Sequence, residues 1–219
     1  MEKVKIEIPI KGKEEIKKEV LERTFMPREG WLDINDGIVV RLDSYLLAGA
    51  VALVLKEFYN RGLRDVDVLV TCEAAGNALV ALGVPIAQSL GLGKPGLHGL
   101  TFRKTEKEER PMFDLSRDIK SPSHGDRVQV ISAPKNFLAG RNILMLDDVL
   151  RRGRTARAIK DMTEEVGGSF LGLGVLFRKM WLKDQQLKNL SSTPIISLIE
   201  VPSPSPEAYR KLKLSFPQP

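Results

Sequence analysis

The sequence has almost no cysteine and no long apolar run. Cys72 is the only cysteine among 219 residues, so an intramolecular disulfide is impossible and a reducing compartment is expected. No apolar run reaches the roughly 18 residues of a transmembrane helix, so we expect no membrane span. The N-terminal stretch MEKVKIEIPIKGKEEIKKEV lacks the apolar core of a signal peptide. Together these absences predict a cytoplasmic protein.

Histidine is also scarce, and a common nucleotide-binding pattern is missing. His98 and His124 are the only histidines, and neither has metal-ligand spacing around it, so we expect no structural metal. The pattern G-x-x-x-x-G-K-[ST] does not occur, which excludes a P-loop nucleotidase. There is no internal repeat, and the length suits one α/β domain over residues 1–219.

Basic residues outnumber acidic ones, 34 to 28, which gives a formal net charge of +6. Such an excess is compatible with a solvated surface, an anionic ligand or nucleic acid. Five of the positive charges lie in RRGRTARAIK, residues 151–160, which contains no acid. This concentration favours a local anion site over a solvated helix face, because the segment begins as a loop.

The hydrophobic pattern alternates between strands and helices. Apolar runs predict buried parallel strands at 65–71, 96–104, 142–148, 169–179 and 195–201. Helical patterns lie at 13–23, 77–91 and 155–167, the second interrupted near Gly83 and Pro85. A further strand begins at residue 37 and runs into a helix that ends at Gly62. The alternation predicts an α/β fold with a parallel sheet and crossover helices, and the prolines after residue 201 predict an irregular tail.

A long polar stretch, residues 105–140, lies between two of the predicted strands. It contains charge clusters, prolines and one short alternating strand, DRVQVISA (126–133). Polar segments of this length inside a compact domain are usually lids or binding loops, or are disordered. We therefore name residues 105–140 the lid segment and expect it to close over a ligand.

The segment ILMLDDVLRRGRT, residues 143–155, passes from four apolar residues to two acids and then to three arginines. In an open α/β sheet, ligands bind outside the carboxyl ends of the strands, where this segment places its polar residues. Gly153 permits a tight turn, and the free N–H groups of the turn and of the following helix suit a phosphate. Asp147 and Asp148 would repel a phosphate, but carboxylates are good acceptors for hydroxyl groups.

A ligand with one phosphate and a neighbouring pair of hydroxyls is a ribose 5-phosphate, and we predict that this segment binds one. The alternative interpretation is that Asp148 caps a helix and that the arginines are surface residues. That alternative leaves the combination of two acids, a basic glycine loop and a threonine behind a buried strand unexplained.

ILMLDDVLRRGRT also resembles the phosphoribosyl-pyrophosphate motif of the type I phosphoribosyltransferases. It departs from that motif at Arg151 and Arg152, where the family has small residues or, in the 6-oxopurine enzymes, an Asp. Other segments resemble adenine and xanthine phosphoribosyltransferases; they are GIVVRLDSYLL, VTCEAAGNALVALGVPIAQSLG, HGLTFRKT, VLFRKMW and IISLIEV. The resemblance covers roughly residues 30 to 201. It implies a parallel-sheet core (about 37–180) and a small hood built from about 1–36 and 181–219.

The resemblance implies transfer of a 5-phosphoribosyl group from phosphoribosyl pyrophosphate (PRPP) to a purine base, with release of pyrophosphate. Asp147 and Asp148 would bind the ribose hydroxyls. The 5-phosphate would be held by the phosphate loop; its residues are Arg151, Arg152, Gly153, Arg154 and Thr155. The pyrophosphate would face the pyrophosphate loop; its residues are Glu73, Ala74, Ala75 and Gly76. An ordinary strand-to-helix turn is the alternative for the second loop.

The resemblance also implies catalytic cations and a base site. Arg103, Lys104 and Lys107 stand at the mouth of the lid segment, which would bring these cations with it as it closes over the pyrophosphate. Lys179 and Trp181 lie where related enzymes contact the purine. For these two residues the alternatives are a surface lysine and a tryptophan packed in the core.

Two departures favour adenine as the base. Arg151 takes the place of the Asp in 6-oxopurine enzymes, and Leu47 stands where xanthine enzymes have an amide. Xanthine and hypoxanthine or guanine remain alternatives, as does a PRPP-sensing regulator that binds nucleic acid. Residues 1–30 lack a convincing helix-turn-helix pattern, so we expect an enzyme with no nucleic-acid partner. The family further implies a homodimer, and Mg²⁺ bound mainly through PRPP, pyrophosphate and water.

Overall fold

The computed structural model describes residues 11–28, 31–33, 44–73, 76–106, 113–121, 127–181, 187 and 190–215. The helices are α1 (Lys13–Glu22), α2 (Ser44–Asn60), α3 (Gly76–Leu90), α4 (Arg154–Glu165) and α5 (Pro206–Leu214). The strands are β1 (Phe25–Arg28), β2 (Trp31–Asp33), β3 (Val66–Cys72), β4 (Gly93–Glu106), β5 (Leu115–Ser121), β6 (Arg127–Ala133), β7 (Asn142–Leu150), β8 (Ser169–Lys179) and β9 (Ile195–Val201). The predicted strand at residues 37–43 lies outside the described residues.

Seven strands form the main sheet in the order β5-β6-β4-β3-β7-β8-β9. The five strands from β4 to β9 are parallel, whereas β5 and β6 form an antiparallel pair that joins the end of β4. Strand β4 pairs with β3 up to Phe102 and with β6 from Arg103 onward. The predicted α/β fold with a parallel sheet is confirmed.

Alternating side chains of the central strands build two apolar cores, one on each face of the sheet. On β7, Leu144 and Leu146 pack with α2 and α3, whereas Ile143 and Met145 pack with α4. Such alternation is what a strand buried on both faces requires. Within the described residues, no helix is long and apolar enough to cross a membrane.

Helix α3 is continuous, so the predicted interruption near Gly83 and Pro85 is wrong. Pro85 removes one backbone donor, but the helix buries one face against the sheet. Gly83 lies so close to the sheet that an added Cβ would be 2.9 Å from Leu146 Cδ1 and 3.2 Å from Leu69 Cδ1. Burial of this face therefore outweighs the helix-breaking tendencies of the two residues.

The lid segment contains more regular structure than the sequence indicated. The predicted strand at 126–133 is confirmed as β6, and a second strand, β5, pairs with it over its whole length. Leu115 and Ile119 of β5 are buried in the same core as α4. The described part of the lid segment is therefore largely an antiparallel arm of the main sheet, not a loop.

The tail after residue 201 is not irregular, because it contains α5. Ser205 caps this helix by accepting a hydrogen bond from the Ala208 N–H (3.4 Å), and Pro206 begins it. Strand β9, which belongs to the C-terminal segment assigned to the hood, pairs with β8 in the main sheet. The division of the chain into a core and a hood stays a prediction.

Candidate active site

The acidic pair lies near the carboxyl end of β7, in the middle of the parallel sheet. Asp147 and Asp148 are both half-buried. The backbone N–H of Asp148 donates to Asp147 Oδ1 (3.0 Å), and that of Val149 donates to Asp148 Oδ1 (2.6 Å). These bonds fix the two carboxyls side by side, as binding of a vicinal pair of hydroxyls would require.

The environment of Asp147 favours its protonated form. Asp147 follows four fully or almost fully buried apolar residues of β7, Ile143 to Leu146. Burial, and secondly the charge of Asp148, raise the pKa of Asp147 well above its usual range. The acidic pair therefore holds a proton at pH values where exposed carboxyls have lost theirs.

The phosphate loop connects β7 to α4. Gly153 is buried with φ +65°, and its carbonyl accepts the first helical hydrogen bond, from the Arg157 N–H (2.9 Å). An added Cβ at Gly153 would lie 2.9 Å from Leu187 Cδ2 and 3.0 Å from Leu190 Cδ1. Glycine is required here by both conformation and space. Contact of Leu187 and Leu190 with this turn was not predicted from the sequence.

The other residues of the phosphate loop surround the start of α4. Arg152 is exposed, whereas Arg151, Arg154 and Thr155 are half-buried. Gly153 at the N-cap position makes no side-chain cap hydrogen bond, and the positive end of the helix dipole points to this turn. The predicted turn between strand and helix is confirmed for Arg151, Arg152 and Gly153, whereas Arg154 and Thr155 already lie in the first turn of α4. The ligand of the loop stays a prediction.

The pyrophosphate loop follows β3 and leads into α3, as predicted; Ala74 and Ala75 lie outside the described residues. An added Cβ at Gly76 would lie 1.6 Å from Thr71 Oγ1, so only glycine fits. Glu73 is half-buried and forms an ion pair with Arg103. This pair is a feature that the sequence did not predict.

The predicted catalytic cations stand at the end of β4. Arg103 and Lys104 belong to this strand, and Lys107 lies outside the described residues. The Lys104 ammonium is close enough to act electrostatically on Asp147 and on the buried thiol of Cys72. Lys104 thus faces the carboxyl that the sequence assigned to the sugar.

Lys179 is buried, with 5% of its surface exposed, so its interpretation as a surface residue is wrong. It ends β8, and its Nζ lies 5.4 Å from the ring centroid of Trp181. Burial, and secondly the charge of Arg151, lower the pKa of Lys179 to about 8, whereas Asp148 opposes the shift. These interactions bring the predicted base-binding lysine beside the acidic pair and the phosphate loop.

Trp181 is partly buried and packs against the core that contains α2 and α3. Leu47, which stands where the xanthine enzymes have an amide, is fully buried in that same core. The preference for adenine stays a prediction.

The described residues contain no group of three or more His, Cys, Asp or Glu side chains able to hold a metal ion. Asp147 and Asp148 are the carboxylates that the sequence assigns to the sugar, and Mg²⁺ commonly accepts one or two carboxylates together with phosphates and water. The residues present are thus compatible with an Mg²⁺ ion that reaches the site with its substrate.

No family model matches the chain. Among solved structures, it resembles the adenine phosphoribosyltransferase of Thermoanaerobacter pseudethanolicus, with a TM-score of 0.61 and 24% identity. That similarity covers 86% of this chain and 99% of the other. At this identity the match shows the fold, which is that of the type I phosphoribosyltransferases.

Two relatives in sequence extend the comparison. The xanthine phosphoribosyltransferase of Chloroflexus aurantiacus is 28% identical over 135 residues, which span 62% of this chain but only 60% of that protein. The adenine phosphoribosyltransferase of Corynebacterium kroppenstedtii is 30% identical over 149 residues, 68% of this chain and 74% of that protein. The chain belongs to the type I phosphoribosyltransferase family, near its adenine and xanthine members.

Proposed function

We propose that the protein transfers the 5-phosphoribosyl group from PRPP to a ring nitrogen of a purine base and releases pyrophosphate. The observation that carries this proposal is the acidic pair on β7, fixed beside the glycine turn that begins α4. The two carboxyls suit the ribose hydroxyls, and the glycine turn at the positive end of the α4 dipole suits the 5-phosphate.

The reaction needs positioning and charge stabilisation more than covalent catalysis, because the bond to pyrophosphate breaks early and leaves positive charge on the sugar. Arg103 and Lys104, at the end of β4, would stabilise the departing pyrophosphate. Mg²⁺, when bound, would neutralise pyrophosphate charge through phosphate oxygens and water. The magnesium ion, the homodimer and the cytoplasmic location remain predictions from the sequence.

Adenine is the first candidate for the base, because Arg151 occupies the position of the acid that 6-oxopurine enzymes use. The Corynebacterium relative, an adenine phosphoribosyltransferase by name, supports the same choice.

Xanthine is the second candidate, and the burial of Lys179 favours it. A lysine ammonium donates hydrogen bonds and accepts none, so it suits the carbonyl oxygens of an oxopurine. Adenine carries an amino group, which is a donor, where a 6-oxopurine carries a carbonyl oxygen. A site built around Lys179 would therefore discriminate against adenine, because two donors would face each other.

The test is pyrophosphate release from PRPP and Mg²⁺, with adenine, hypoxanthine, guanine, xanthine, uracil and orotate supplied separately. We expect release with adenine; release with xanthine alone would select the second candidate. Asp148→Asn tests the assignment of the sugar site. It should raise KM for PRPP, because an amide is a poorer acceptor for the hydroxyls than a carboxylate. Tight PRPP binding with no release for any base would indicate a regulator instead.

A further inference from the structure

Glu73 connects the end of β3 to the point where β4 changes its pairing partner. Its backbone N–H donates to the carbonyl of Phe102 (3.1 Å), and its Oε2 accepts from the backbone N–H of Lys104 (3.0 Å). Its other carboxylate oxygen forms an ion pair with the Arg103 guanidinium. Three successive residues of β4 therefore contact this single glutamate.

A carboxylate is an unfavourable group at a site for pyrophosphate, because like charges repel each other. The pyrophosphate loop reads Glu-Ala-Ala-Gly, so it contributes one negative charge and no positive one. Arg103 neutralises that charge from the neighbouring strand. Its side chain is 48% exposed against 20% for Glu73, so the guanidinium is the more accessible member of the pair.

An arginine placed in this way can pair with a ligand without leaving its position on β4. Guanidinium groups bind phosphate oxygens through two parallel hydrogen bonds, which gives pyrophosphate an advantage over the carboxylate while it is bound. Once the pyrophosphate leaves, Glu73 offers the same guanidinium an anionic partner. The two anions thus compete for one cation.

We propose that Glu73 is an internal counter-ion that competes with pyrophosphate for Arg103 and thereby promotes release of this product. The inference rests on the proposed function and gives a role to an acid that anion binding alone would disfavour. It makes Glu73 a positioning residue, which acts through Arg103.

Glu73→Gln separates this role from a purely structural one. Glutamine keeps the size of the side chain and an oxygen that can accept from the Lys104 N–H, but it removes the charge. If the charge competes with pyrophosphate, the variant binds pyrophosphate more tightly. If Glu73 only anchors Arg103, the variant binds it less tightly.

The experiment is calorimetric titration of the full chain with inorganic pyrophosphate and Mg²⁺, combined with product inhibition by pyrophosphate. We expect Glu73→Gln to tighten binding about five-fold, the upper range for one charge interaction at a partly exposed site. Arg103→Gln should weaken binding. Glu165→Gln is the control: it breaks the ion pair of Glu165, at the far end of α4, with Arg117, whose side chain is about as exposed as that of Arg103 (44% against 48%), and it should leave binding unchanged.

Unchanged or weaker pyrophosphate binding by Glu73→Gln, with a wild-type melting temperature, would overturn the proposal and leave the proposed function intact. Glu73→Ala provides a second removal of the charge and should shift binding in the same direction. A wild-type protein that neither binds pyrophosphate nor releases it with any base would overturn the proposed function, and this inference with it.

Discussion

Lys179 shows how burial changes the chemistry of one side chain. Its ammonium is enclosed at the end of β8 near Arg151, and its pKa is about 8. The unfolded chain binds this proton more tightly, since the ordinary lysine pKa is 10.5. The free energy of unfolding therefore rises with pH between these two values, and below about pH 8 the folded protein bears the cost of burying the charge.

We predict that kcat/KM for the base falls above pH 8 and that this fall depends on Lys179. A charged lysine donates more strongly to a base than a neutral amine, so activity should fall about ten-fold for each pH unit beyond the pKa. The measurement is the pH profile of wild type divided by that of Lys179→Met, because ionisation of the base itself is common to both.

The control for the Lys179 profile is Lys160→Met, which removes a lysine paired with Glu164 on α4 and should keep the wild-type profile. A ratio that does not change with pH would show that Lys179 does not contact the base.

At the scale of elements, the junction of β7, the phosphate loop and α4 depends on one glycine. Gly153→Ala should destabilise the protein by about 1–2 kcal/mol for the left-handed conformation alone. Contact of the new methyl group with Leu187 and Leu190 should add to this cost and displace the phosphate loop. We therefore expect Gly153→Ala to have a higher KM for PRPP and a lower midpoint of urea denaturation, and both quantities are to be measured.

Gly140→Ala is the matched control for Gly153→Ala. Gly140 has φ +66°, nearly that of Gly153, but an added Cβ there meets nothing within 4 Å. The control should show the conformational cost without a change in KM. Equal effects of the two substitutions on stability and KM would contradict the role given to Leu187 and Leu190.

Elements with strong local signals were predictable from sequence, and those that depend on distant partners were not. The boundaries of β8 and β9 were predicted correctly, because apolar runs in buried strands are local features. Strand β5 was missed because its polar sequence, LSRDIKS, forms a strand only through pairing with β6. Helix α5 was missed although Ser205 and Pro206 are a recognisable helix start, because neighbouring prolines suggested an irregular tail.

At the scale of the whole molecule, the N-terminal and C-terminal parts of the described chain meet in one buried contact. The hydroxyl of Tyr209 on α5 is hydrogen-bonded to Thr24 Oγ1, 185 residues away. Thr24 also donates to the carbonyl of Val20 (3.0 Å), so it accepts from the tyrosine. Burial raises the pKa of Tyr209 to about 12, which keeps this donor protonated.

We predict that Tyr209→Phe lowers the free energy of unfolding by about 1 kcal/mol, because it leaves a buried acceptor unpaired. Tyr45→Phe, at a position that is 74% exposed, should have no measurable effect. Urea denaturation measures both. A stability of Tyr209→Phe equal to wild type would mean that this contact does not contribute to holding the two segments together.

The candidate site was predictable where its residues are neighbours in the sequence. Asp147, Asp148 and Gly153 lie within one segment, and their local order follows from the end of a parallel strand. The burial of Lys179 and the pairing of Glu73 with Arg103 were not predictable, because each depends on strands that are adjacent in the sheet but distant in sequence.

Asp147, at the centre of the sheet, keeps its proton to a higher pH than an ordinary carboxyl, which affects how the charge of the molecule is counted. The formal value of +6 treats every carboxyl as ionised, and Asp147 is an exception up to its raised pKa. In that range a hydrogen ion is already a ligand of the site. A sugar that requires both carboxylates in their ionised form must displace this proton when it binds. The proton and the substrate therefore compete for the same site, and a lower pH weakens substrate binding.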